Sequence, residues 1–140
     1  MEVDMDVVRS RIELLRGYLE SLEKLKSRKE EFFKSLVLRM AVERLLQLSI
    51  ECLLDIAQHI AAAKGQRPPE SYADTITVLE ETELISSKRA DVYRRIARFR
   101  NILVHGYVSI DPENVYNIWI EGLEDLRGMA RDLLDAAADP

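Results

Sequence analysis

A single cysteine, Cys52, stands in 140 residues. That excludes an intramolecular disulfide framework and any zinc site built from several thiolates. Glycine and proline are scarce, five and four, and they cluster, so long uninterrupted elements are allowed. Only two histidines occur, His59 and His105. No apolar run approaches the roughly 18 residues of a membrane span. The acidic start over residues 1–6 has no signal-peptide pattern. Strand signals are nearly absent, with no sustained apolar–polar alternation and no Asn-Gly or Asp-Gly hairpin. What remains is 47% hydrophobic and 32% charged, enough apolar content to offset the entropy of ordering. The expectation is one domain over residues 1–140, cytoplasmic and without a membrane role.

The net charge of −5 argues against a protein that coats nucleic acid through bulk charge. Its distribution says more. Between Lys88 and Arg100 lie Lys88, Arg89, Arg94, Arg95, Arg98 and Arg100 against the single acid Asp91. The segment 121–139 has acids in excess of Arg127 and Arg131. One stretch is therefore cationic within an acidic chain.

Helical periodicity covers most of the sequence. Val8, Ile12, Leu15, Leu19 and Leu22 predict a helix over about residues 4–27. A second, long helix is expected over about 30–63, with Leu36, Met40, Val42, Leu46, Leu53 and Ile60 giving it an apolar surface wider than one stripe. Such a helix is central or is shared with another chain. Gly65 is placed to end it. A short helix follows over about 72–84, then one over about 88–105 opened by Ser86-Ser87 and closed by Gly106. In that helix Val92, Ile96, Phe99 and Leu103 form the expected core face. Asp111-Pro112-Glu113 starts a last helix expected to run to about 137. The fold class expected is all-α: an up-and-down bundle of four longer helices and one short one.

Fold alone assigns no chemistry. His59, near the end of the second helix, reads as a helix-end histidine meeting carbonyls or solvent. No acid-rich or cysteine motif has metal-ligand spacing, so neither metal nor cofactor is expected. His105 lies in Arg100-Asn101-Ile102-Leu103-Val104-His105-Gly106-Tyr107. On a helix, Asn101 and His105 lie about 40° apart and Arg100 about 140° from His105, so the trio is expected to face away from the interior. Histidine moves protons near neutral pH. Arginine holds a phosphate by two parallel hydrogen bonds. Asparagine can orient either group. Together they suit metal-free RNA cleavage, in which a 2′-hydroxyl attacks the adjacent phosphate; a decorated helix end is the other account. Arg94, Arg95 and Arg98 either guide RNA phosphates or solvate their helix. Trp119, Tyr116 and Tyr93 are expected to pack in the core rather than stack on bases, and Cys52 to be an inert core residue.

Arg100-Asn101-x3-His105-Gly106-Tyr107 resembles the R-x4-H-x-Y signature of the HepT branch of the HEPN superfamily. Residues 43–60, 99–105 and 110–116 resemble that family's helices, so the likeness spans nearly the whole chain. The resemblance implies a HEPN helical bundle, a homodimer with two motifs facing one cleft, and a metal-independent endoribonuclease toxin of a type VII toxin–antitoxin pair. It implies that Arg100 and His105 are catalytic and that Asn101 is the polar residue accompanying them. The implied partner is a minimal nucleotidyltransferase antitoxin that attaches AMP to the tyrosine matching Tyr107, placing phosphate charge over the cleft. A different class stays open: a non-catalytic helical module that binds nucleotide or a nucleotidyltransferase partner. A plain dimerisation module would need the periodicity alone.

Overall fold

The computed structural model describes residues 2–106 and 108–140. Among them are seven helices and no strand: α1 (Met5–Lys24), α2 (Lys29–Lys34), α3 (Leu36–Lys64), α4 (Tyr72–Glu81), α5 (Ser87–His105), α6 (Pro112–Glu121) and α7 (Leu123–Ala138). The all-α expectation holds, and α1, α4 and α5 lie close to their expected bounds. Asp4 opens α1 by accepting the Asp6 N–H at 2.9 Å. His59 has a different partner from the one expected: its Nε2 accepts the Asp4 N–H at 2.8 Å, so it serves the start of α1.

Two expected helices are each split. The one expected over 30–63 breaks at Ser35, whose backbone is extended (φ −106°, ψ 106°) and whose hydroxyl accepts the Leu38 N–H at 3.1 Å. Serine competes with its own helix in this way, and that makes it a good first residue and a poor interior one. The break lets α2 turn Phe32 inward, fully buried beside Tyr116 and Trp119. The last helix breaks at Gly122, whose N–H closes α6 on Ile118 O at 2.8 Å. A Cβ there would lie 2.7 Å from that same oxygen. The split lets α6 direct Trp119 toward α1 and α2 while α7 packs on α1 and α3. Trp119 is fully buried and its indole N–H donates to Leu22 O at 2.8 Å. The ring thus ties α6 to the end of α1.

Central to the bundle is α3. By length and composition it could cross a bilayer, but from Val42 onward most of its apolar side chains are covered, chiefly by α1, α4, α5 and α7. Its first turns are not covered: Leu36, Val37 and Met40 are 61%, 78% and 60% exposed. Gly65 ends the helix as expected. A Cβ there would come within 2.6 Å of Val78, so the absence of a side chain admits α4. Cys52 is buried, and burial pushes its thiol pKa up, as fits an inert core residue.

Of the expected inward face of α5, Phe99 and Leu103 are buried as expected, but the face is wider and centred elsewhere. Ala90, Tyr93 and Ala97 are buried at steps of three and four, and Arg100 continues that stripe. Small side chains at 90 and 97 let α5 close on α3 and α4. Val92 and Ile96 are only half-buried. With Ile50, Phe99, Ile102 and Ile118 they line a surface groove of about 380 Å³. Tyr93 is held by Asp132 of α7, which Arg89 also contacts at 2.5 Å. Tyr93, Tyr116 and Trp119 are all engaged in packing, as expected.

Candidate functional site

Ser86 starts α5 by accepting the Arg89 N–H, and Gly106 closes it with an N–H to Ile102 O at 2.8 Å. The last two turns carry Arg100, Asn101 and His105. Asn101 and His105 are exposed on neighbouring turns. Arg100 is not: its side chain is 17% exposed, so the expectation that the whole trio faces away from the interior is corrected at this residue. The cause is the register of the Ala90–Tyr93–Ala97 stripe, which brings position 100 against α3.

There the guanidinium meets Glu51. Arg100 Nε and Nη2 donate to Glu51 Oε1 at 3.1 and 3.0 Å. Gln47 Nε2 donates to the same oxygen at 3.1 Å. Arg100 Nη1 donates to Asn101 Oδ1 at 3.2 Å. The Tyr72 ring lies under the guanidinium, with 4.9 Å between Cζ and the ring centroid. An arginine has five N–H bonds. Among the described residues three are used, and one remains on each terminal nitrogen. Those two are suited to a bidentate anion such as phosphate.

Sequence reading did not single out Glu51 or Tyr72 as site residues. Glu43, Gln47 and Glu51 stand at four-residue steps on a helix otherwise rich in apolar side chains, and that polar stripe was the available signal. Burial pushes the Glu43 carboxyl above the usual carboxylate range. Tyr72 had no such signal.

The three candidate phosphate-guiding arginines separate. Arg94 is held by Glu80 at 2.7 Å and Asp91 at 2.5 Å, with a further bond to Thr77. Its charge is matched and it fastens α4 to α5. Arg95 and Arg98 are exposed along the apolar groove. Tyr107 lies outside the described residues. Among the described residues no group of three or more His, Cys, Asp or Glu side chains is arranged to hold a metal ion.

Comparisons with known proteins place the chain in a family. The family model described as Ribonuclease HepT-like matches residues 15–133. The mRNA nuclease HepT of Shewanella oneidensis is 26% identical over 120 residues, covering 86% of this chain and 90% of that one. The tRNA nuclease HepT of Aphanizomenon flos-aquae is 27% identical over 111 residues, 79% and 76% of the two chains. Among solved structures, the tri-AMPylated Shewanella oneidensis HEPN toxin in complex with MNT antitoxin superposes with a TM-score of 0.84 at 24% identity, over 92% of this chain and 97% of that one. A bundle of this topology, an Arg-Asn-x3-His-Gly string on its α5 and a family match across most of the sequence converge: the chain belongs to the HepT-like ribonuclease family.

Proposed function

We propose that this protein is a cytoplasmic, metal-independent endoribonuclease that acts as a homodimer and is neutralised by a nucleotidyltransferase antitoxin. The observation that carries the reading is the Arg100 guanidinium. It is held in place, with one N–H left on each terminal nitrogen among the described residues, beside exposed Asn101 and His105 on the same two helical turns. In the proposed reaction the RNA 2′-oxygen attacks the adjacent phosphorus. The O2′–P bond forms, the P–O5′ bond breaks, and the products are a 2′,3′-cyclic phosphate and a 5′-hydroxyl. The 2′-hydroxyl proton goes to one imidazole. The leaving O5′ takes a proton from another, and each chain supplies one His105, so a pair of chains supplies both. Arg100 stabilises the charge that grows on the non-bridging oxygens. Asn101 orients the guanidinium through its amide oxygen. Arg95 and Arg98 guide the flanking phosphates. Two kinds of surface support a second copy: the groove beside Ile102, which is 43% exposed, and the uncovered start of α3. Tyr107 is the proposed acceptor of AMP.

One observation favours the other reading, a non-catalytic partner-binding module. Glu51 already matches the Arg100 charge, which weakens the pull on an anion. A single experiment separates them. RNA is incubated in EDTA with the wild-type chain, with His105→Ala, and with the chain pretreated with antitoxin and ATP. Expected are cleavage by wild type, a loss of about 10²–10⁴-fold in the variant, and protection after pretreatment with AMP found on Tyr107 by mass spectrometry. Intact RNA in every arm, or equal cleavage by wild type and His105→Ala, sinks the nuclease. AMP on another residue removes the role of Tyr107.

A further inference from the structure

Glu51 and Asn101 grip the Arg100 guanidinium by its edges. A group joined only by its edge can still tilt about that contact. The face is taken by a different element: Tyr72, the first residue of α4, whose ring centroid is 4.9 Å from Cζ. A guanidinium is attracted to an aromatic face by the ring quadrupole. The choice of an aromatic group matters chemically. A second carboxylate would consume the remaining N–H bonds and cancel more of the charge. A ring takes the face, where no N–H points, and leaves both donors for the ligand.

The turn that carries Tyr72 is itself fastened. Ser71 caps α4 by accepting the Asp74 N–H at 3.0 Å. The Asp74 carboxylate accepts two Arg67 N–H bonds at 2.8 Å each and the Glu70 N–H at 2.9 Å. Pro68 and Pro69 stiffen the few residues between. The loop is thus closed onto the first turn of α4, next to the residue that touches Arg100.

We propose that Tyr72 is a positioning residue whose ring face holds the plane of the Arg100 guanidinium, so that its two remaining N–H bonds are presented to an RNA phosphate. The role in cleavage rests on the ribonuclease reading; the restraint of the guanidinium does not. The ring is what matters, and the hydroxyl is not needed.

The test compares wild type, Tyr72→Phe and Tyr72→Leu in two measurements. In RNA cleavage, Tyr72→Leu is expected to lose about tenfold in kcat/KM, mostly in kcat, because a fixed plane matters most where charge develops. Tyr72→Phe is expected to cleave like wild type. In NMR, the Arg100 Nε–H resonance (assigned by its loss in Arg100→Lys) is expected further upfield in wild type and Tyr72→Phe than in Tyr72→Leu, because all three keep the Glu51 hydrogen bond and only the last loses the ring current. A Tyr72→Leu protein as active as wild type overturns the proposal, as does a Tyr72→Phe protein as impaired as Tyr72→Leu. Should wild type fail to cleave RNA at all, the ribonuclease reading falls, and the resonance decides the rest: a shifted signal upholds the restraint by Tyr72, and an unshifted one removes it. Tyr72→Met, which fills the same space without a ring, gives the same comparison should Tyr72→Leu fold poorly.

Discussion

Arg100 shows how one side chain can be a strut and, in the proposed function, also a group that binds ligand. Its ion pair with Glu51 is mostly shielded, the two side chains being 17% and 26% exposed. The burial cost of each charge is offset by the other and by added donors, as a buried pair requires. Asp74 is a second residue on which several bonds converge. The Arg67 guanidinium and the Glu70 N–H pull its pKa down to about 2. A carboxylate with a folded pKa below its unfolded one contributes stability that is fully present above the unfolded value, near 3.8, and is lost as pH falls through about 2. Wild type is therefore expected to lose stability between pH 4 and 2 more steeply than Asp74→Asn. Urea unfolding midpoints across that range measure the difference. Parallel curves for the two proteins would mean that Asp74 gains nothing from its partners.

At the scale of elements, the breaks matter more than the helices. Ser35 separates α2 from α3, and its hydroxyl satisfies one of the N–H groups left open at a helix start. Ser35→Ala removes that bond and is expected to cost about 1 kcal/mol in urea or thermal unfolding. It should leave the helical content unchanged, since α3 is held by packing on the six other helices. A variant as stable as wild type would mean that the break is imposed by Phe32 entering the aromatic cluster, with no help from the cap. The Gly122 break has the same logic with a different agent. The chain leaves helical register where no Cβ obstructs the Ile118 carbonyl, and α6 and α7 then bury different partners.

For the whole molecule, the uncovered apolar surface is the telling feature. The bundle covers α3 internally over most of its length, yet leaves the groove along Val92, Ile96 and Ile102 open. Arg95 and Arg98 of α5 and Asp125 of α7 line this groove together with its apolar side chains, and the apolar part is what a two-fold related copy would cover. Ile102→Glu places a charge in that apolar part without touching the core. It is expected to weaken self-association by at least about 30-fold, read by sedimentation, with little change in unfolding of the subunit. A wild-type chain that sediments as a monomer at micromolar concentration would remove the shared cleft.

Much of this was legible in the residues alone, for a physical reason. Helix starts and stops at Asp4, Ser86, Gly106 and Asp111 depend on bonds within four residues, and so does the apolar periodicity that makes the chain all-α. The Arg100–Asn101–His105 spacing is likewise a property of one helix. Only the tertiary structure decided where that helix turns its faces. Ala90 and Ala97 sit inward because α3 and α4 are there to receive them, and this carries Arg100 onto Glu51, 49 residues away in the chain, and over the ring of Tyr72. Contacts between distant segments depend on how whole elements dock, and no local pattern encodes that.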